Sequence, residues 1–265
     1  MSPPLARRAR VRPPCAALCA TLYLAGGHAL AAPEEVQVYR DDVARTGGFG
    51  VEVNQNYVFS GPRDDEASGA LRPVHLYRLT PEFDYGFARN WEVGALVVAT
   101  VRNGEFDAHG LKAHMRYVAP RPQAQPFYWG FNFEAGWTDR HLEARPWTAE
   151  LRGIAGYEGR RWIVALNPTV ETAADAHDVE PASLALQGKV GYRVNEKLIL
   201  GLESYNEFGP VRRFGPLRDE PQMLYAAADI DLPRGDLNLG IGRGLTGSAD
   251  GWAVKVVWGL PMGRR

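Results

Sequence analysis

A dozen or so short runs of alternating apolar and polar residues, connections that are by turns short and long, and tryptophans gathered at the ends of those runs predict an all-β chain. The expected architecture is a transmembrane, antiparallel, up-and-down β-barrel of about twelve strands. Alternation alone also fits a soluble sandwich or lipocalin-like binding protein, which would turn the apolar face inward and leave the charges in water. The aromatic placement favours the barrel, because Trp91, Trp147, Trp162, Trp252 and Trp258 stand at or near strand ends, where interfacial girdles lie.

The first segment, residues 1–31, carries Arg7, Arg8, Arg10 and Arg12, then the apolar run Cys15 to Ala25, then Ala29-Leu30-Ala31. A basic head, a short apolar centre and an A-x-A end read as a secretory signal peptide cleaved after Ala31. Both cysteines, Cys15 and Cys19, fall in this leader, so the mature chain is expected to form neither disulfides nor thiolate metal sites. With a net charge of −1 and no basic stripe beyond the leader, nucleic acid is not an expected partner. No later segment offers about twenty consecutive apolar residues, so any membrane crossing must be made by strands. Residues 32–47, with Glu34, Glu35, Asp41 and Asp42, form a polar lead-in that reads as a flexible periplasmic tail; entry into the lumen as a plug is the alternative. The barrel is assigned to residues 48–265.

The runs then follow in order at intervals of about 20 residues or less. The first sets Phe49, Val51, Val53, Tyr57 and Phe59 against Glu52, Asn54 and Asn56, and the second sets Tyr77, Leu79, Phe83 and Tyr85 against Arg78, Thr80, Glu82 and Asp84. The third opposes Trp91, Val93, Ala95, Val97 and Val101 to Glu92, Gly94, Thr100 and Arg102; the fourth opposes Leu111, Ala113, Met115 and Tyr117 to Lys112, His114 and Arg116. In the fifth, Phe127, Trp129, Phe131, Phe133 and Trp137 face away from Tyr128, Asn132 and Glu134. The sixth separates Trp147, Ala149, Leu151 and Tyr157 from Glu150 and Arg152, and the seventh separates Trp162, Val164, Leu166 and Val170 from Asn167, Thr169 and Glu171. The eighth divides Leu184, Leu186, Val190 and Tyr192 from Gln187, Lys189 and Arg193, and the ninth divides Leu200 and Leu202 from Glu203. The tenth, Met223 to Asp231, alternates poorly. The last two form a hairpin, Leu237 to Leu260, whose second arm puts Trp252, Val254, Val256, Trp258 and Leu260 opposite Ala253, Lys255, Val257 and Gly259.

Short connections near Ala88 to Asn90, Pro120 to Gln125, Glu158 to Arg160, Asn195 to Glu196 and Pro233 to Asp236 alternate with longer ones. The longer ones are Gly61 to Arg72, Asn103 to Ala108, Thr138 to Pro146, Thr172 to Pro181 and Gly209 to Pro221. Short periplasmic turns and long external loops are the asymmetry of the outer membrane, and an even strand count puts both termini on the periplasmic side.

The stretch Leu200 to Pro210 (LGLESYNEFGP) and the closing GIGRGLTGSADGWAVKVVWG resemble proteobacterial outer-membrane β-barrels loosely grouped with the MetA pathway of phenol degradation. The matching positions are Gly201, Glu203, Gly209, Pro210, Gly244, Leu245, Thr246, Asp250 and Lys255, in the last quarter of the chain. The resemblance implies a channel or transporter in the cell outer membrane that passes small solutes passively, small apolar or aromatic compounds among them. One departure is that the chain runs past Trp258 to a Gly-Arg-Arg end, where such barrels usually finish on an aromatic residue read by the assembly machinery.

On this reading the lumen is lined by Glu52, Arg78, Glu82, Asp84, Arg102, Lys112, Arg116, Glu134, Glu150, Arg152, Glu171, Lys189, Glu203 and Lys255. Mixed signs either pair into cross-strand ladders that brace the wall or segregate to opposite walls and set a transverse field. Twelve strands lie between barrels filled by side chains and wide porins, so a narrow or partly plugged pore is expected. No catalytic set is expected, because Ser60, Ser183 and Ser204 share no motif with a histidine. Asp139 with His141, and Asp175 with His177 and Asp178, read as solvated loop residues; a shared divalent cation or general base is the alternative. No metal or other cofactor is assigned. The expected partners are outer-membrane lipids, a small-molecule solute and the barrel-assembly machinery, and the chain is expected to act as a monomer. A non-conducting structural barrel or a rim-site hydrolase is the first alternative, and a soluble secreted β protein the second.

Overall fold

The computed structural model describes residues 35–62, 71–122 and 125–262; the expected leader, residues 1–31, and the Gly-Arg-Arg end lie outside them. Twelve strands are found among the described residues: β1 (Phe49–Ser60), β2 (Tyr77–Ala88), β3 (Trp91–Arg102), β4 (Glu105–Val118), β5 (Phe127–Thr138) and β6 (Trp147–Glu158), then β7 (Trp162–Ala174), β8 (Ser183–Asn195), β9 (Leu198–Pro210), β10 (Gln222–Leu232), β11 (Gly235–Gly244) and β12 (Trp252–Met262). Each pairs antiparallel with its neighbours in sequence, and β1 closes on β12 from Phe49↔Met262 to Ser60↔Trp252. Closure leaves no unpaired sheet edge, which is the condition for placing backbone amides in a medium that offers them no water.

Alternation decides what each face meets. Leu111, Phe133, Leu151, Leu166, Val170, Leu200, Leu202 and Ile241 are exposed on the outside, while Thr80, Glu82, Asn132, Asn167, Thr169, Lys189, Glu203 and Lys255 are buried on the inside. A water-soluble monomer rarely exposes a contiguous apolar patch beyond a few hundred Å², and here apolar side chains encircle the molecule. The chain is a membrane barrel with its polar side inward. Six of the seven tryptophans are exposed and lie near the ends of their strands: Trp129, Trp162 and Trp258 at the end where β1 begins and β12 finishes (the terminal end of the barrel wall), Trp137, Trp147 and Trp252 at the other. Trp91, the seventh, packs with its ring tilted against Tyr117 at 4.6 Å and edge-on to Phe131 at 5.9 Å within the first girdle.

The short turns, including 89–90, 159–161, 196–197 and 233–234, lie at the terminal end, and the longer loops lie at the opposite, outer end. One expected loop is corrected. Asn103 to Ala108 is not a loop: β4 begins at Glu105 after a two-residue turn in which Asn103 has φ 53° and Gly104 φ 83°. Two positive φ values in succession make the mirror-image turn that matches the twist of a hairpin, and Asn-Gly is the pair that adopts it at least cost. The extended hairpin carries a β-bulge, since Val98 pairs with Gly110 but Ala99 with Ala108, leaving His109 as the extra residue. A bulge re-aims side chains, and His109 is thereby buried at the outer rim.

The polar lead-in is corrected as well. Instead of hanging free as a tail, residues 35–48 run through the inside of the barrel. At the terminal end Gly47 N–H donates to Gly86 O at 2.6 Å and Gly86 N–H to Gly48 O at 3.1 Å. Only glycine fits there, because a Cβ on residue 86 would come within 2.3 Å of Arg45 O. At mid-height Tyr39 N–H donates to Asn167 Oδ1 at 2.7 Å and Asn167 Nδ2 donates back to Tyr39 O at 3.1 Å. Higher still, Val36 packs with Val58, Tyr225 and Ala253, and Tyr39 with Tyr128 and Ile154, two small apolar clusters inside a largely polar lumen.

Candidate functional site

The lumen is built from the inward half of every dyad, so its chemistry follows from the charged faces of the strands. Arg78, Glu82, Lys112, Glu134, Arg152, Lys189, Glu203 and Lys255 are buried within it, and Glu52, Asp84, Arg116, Glu150 and Glu171 are partly buried. Arg102 is placed elsewhere. It stands at the β3–β4 hairpin tip with half its side chain in solvent, 3.5 Å from Asp107, because β3 has by then left the barrel wall.

Opposite charges pair with near neighbours, most of them across strands and Arg152 with Glu150 within β6, instead of dividing between two walls. Glu203 is the centre of one network: its carboxylate bridges Lys255 and Lys189, the latter at 2.9 Å, and accepts hydrogen bonds from Tyr205 at 2.8 Å and Asn238 at 3.0 Å. Lys189 also reaches Asp229 at 2.6 Å. A second network gathers Glu82, Asp84 and Glu92 around His114 and Arg116, with contacts from 3.2 to 3.6 Å. Lys112 lies 3.5 Å from Glu134, and Arg152 lies 2.8 Å from Glu150. A buried carboxylate stripped of its partner costs several kcal/mol, so this pairing is what permits so many charges inside one barrel.

The lead-in is held by the same groups. Lys255 Nζ donates to Val36 O at 2.8 Å, Gln37 Nε2 to Glu52 at 3.1 Å, and Arg40 pairs with Glu158 at 3.3 Å. Arg116 and Arg152 cover the Tyr39 ring, 4.0 and 4.5 Å from its centroid, and Arg121 in the β4–β5 turn pairs with Asp41 at 2.9 Å. With the segment in place Asn167 and Thr80 have no accessible surface and Glu203 only 1%. The segment thus covers this part of the wall at mid-height.

Several of these groups are not among the lumen residues expected from the sequence. His114 and Glu92 lie on the polar faces read from the alternation and could have been taken from it. Asp229 lies on β10, whose alternation is blurred because the inward Tyr225 packs on Val36 of the lead-in. Tyr39 carries no periodic signal at all.

The two loop clusters at the outer rim are kept apart. Asp175 accepts the backbone N–H groups of His177 and Asp178, at 2.8 and 3.0 Å, which holds its carboxyl below the usual value of 3.8. Arg145 then engages Asp178 at 3.1 Å and Glu180 at 2.6 Å. Asp139 instead meets His109, at 2.9 Å from Nδ1, and His141, at 3.4 Å. Burial pushes the Asp139 carboxyl up, but hydrogen bonds from His109 and from the His141 backbone outweigh it and leave the group below its ordinary value.

With this architecture, solved structures of the same shape can be found. An outer membrane channel from Pseudomonas putida F1 superposes with a TM-score of 0.57 at 14% identity, over 86% of this chain and 100% of that one. The fold is an outer-membrane β-barrel. Two porins also share this barrel: NanC, with a TM-score of 0.51 at 9% identity over 81% of this chain and all of NanC, and KdgM, solved in complex with disordered oligogalacturonate, with 0.50 at 11% over 82% and 99%. No protein-family model and no curated protein matches the barrel's sequence.

Proposed function

We propose that the protein is a gated outer-membrane channel for passive passage of small solutes, with residues 35–48 as its gate. The contrast between wall and filling carries this reading. The inner wall is lined by Asn, Thr, Lys and Glu side chains suited to water, yet it is filled by a segment that belongs to no strand. Such a segment can withdraw without breaking the ladder that holds the barrel in lipid. Small aromatic compounds are the favoured solutes: with the gate withdrawn, Tyr128, Tyr205 and Tyr225 of the wall would offer ring faces for stacking, and the last quarter of the chain resembles MetA-pathway barrels. Acidic saccharides of the kind held by the KdgM porin are a poorer fit, because acids and bases alternate around this lumen. Planar-bilayer recording of the purified barrel tests the reading. Brief conductance steps are expected from the full chain and long-lived ones after deletion of residues 33–47, with phenol shortening the open time. Silence from both proteins would leave a non-conducting barrel as the correct description.

A further inference from the structure

At the outer rim, three ligating atoms converge from two elements that are distant in sequence. We propose that His109 Nδ1, Asp139 Oδ2 and His141 Nδ1 form a binding site for a borderline divalent cation, Zn²⁺ before others, with water completing its coordination. In a tetrahedral zinc site with bonds of about 2.0–2.1 Å, ligand atoms lie roughly 3.3 Å from one another. Asp139 Oδ2 lies 2.9 Å from His109 Nδ1 and 3.4 Å from His141 Nδ1, and the ligand atoms of the three residues all lie within 4.8 Å of one another, which puts them within reach of one cation once the exposed His141 ring turns toward it. The donor set of two imidazoles and one carboxylate suits zinc, whereas calcium and magnesium require oxygen ligands nearly throughout.

Support for the ligands is already in place. His109 Nε2 lies 2.9 Å from Thr100 Oγ1; when the threonine accepts that N–H, the ring is fixed in the tautomer that leaves Nδ1 free for a metal, the usual arrangement behind a metal-bound histidine. Asp139 N–H donates to His109 O at 2.7 Å, and the second Asp139 oxygen accepts the His141 backbone N–H at 2.9 Å, which fixes the loop that carries two of the ligands. His109 is 7% exposed, while the His141 side chain is 64% exposed. The site is thus firm on the barrel side and open to solvent on the other, where water ligands would sit. The nearby guanidinium of Arg140 is directed to Asp175, 3.6 Å away, and so is drawn toward the neighbouring loop. A bound ion would join β4 to the β5–β6 loop, and through the bond from Leu71 N–H to His141 O it would also secure the chain leading into β2. The contacts from Thr100 to His109 to Asp139 have the connectivity of a hydrolytic triad, but Thr100 has no accessible surface, so no substrate carbonyl reaches its hydroxyl.

The test is titration of ZnCl₂ into the full barrel, folded in detergent and first stripped with a chelator. One ion per chain is expected, and Co²⁺ in its place should give the intense visible bands of a tetrahedral centre. His141→Ala, which alters only an exposed loop residue and whose folding can be checked by heat-modifiable gel migration, should weaken binding at least about tenfold, and Thr100→Val by roughly 10- to 100-fold. His177→Ala, in the neighbouring loop, should bind as the parent does. No zinc uptake by the parent protein, undiminished binding by His141→Ala, or an equal loss in His177→Ala would each overturn the proposal. None of these results depends on whether the barrel conducts.

Discussion

Glu203 is buried between two lysines that reach it from different strands, and the consequence is specific to this side chain. Glu203→Leu would leave Lys255 and Lys189 facing each other in the lumen with Asp229 as the remaining acid of the network. Breaking a buried pair from one side costs about 3–5 kcal/mol. Urea-induced unfolding of the barrel in detergent should show a loss of that size; a change within about 0.5 kcal/mol would mean that water already reaches these charges. Asn167 has a different part. Its amide makes two hydrogen bonds to the Tyr39 backbone, each worth about 0.5–1.5 kcal/mol. Asn167→Ala should therefore leave wall stability almost unchanged and lengthen open times in single-channel recordings. Unaltered gating would show that the segment is held by its ion pairs alone.

Among the elements, the lead-in and the strand it lies against form a matched pair. The inner side of β2 at Gly86 has room for a backbone and nothing more. Gly86→Ala should push residues 44–48 off the wall and produce openings in the full-length chain resembling those of the 33–47 deletion, while heat-modifiable migration stays normal. If the variant remains as closed as the parent, the contact at Gly86 does not hold the gate. The β3–β4 hairpin shows how a local rule can be masked. Asn103-Gly104 is a strong hairpin signal, but the charged and small residues after it, Glu105, Asp107 and Ala108, resemble a loop because the hairpin projects beyond the barrel, where neither face is required to be apolar.

For the whole molecule, lipid takes the place of a protein core. Leu151, half exposed on the outside of β6, lies in the span between the two tryptophan girdles. Leu151→Arg should cost about 2–4 kcal/mol in refolding into lipid vesicles, whereas Arg102→Ala, at the solvated hairpin tip, should stay within about 0.5 kcal/mol. Equal effects would contradict the assignment of the two environments. The strand count, the inward and outward faces and the closing pair of β1 with β12 were legible in the sequence, because a side chain's face is set by a two-residue period and lipid admits only one polarity. The polarity of the lumen was legible for the same reason, and the resemblance in the last quarter of the chain pointed to Glu203 and Lys255. Three things were decided only by tertiary structure: which charges neutralise which, where residues 35–48 lie, and that His109 joins Asp139 and His141 at the rim. Each depends on distances across the barrel or on a one-residue bulge, and no periodicity along the chain records how far apart two strands stand once the sheet has closed.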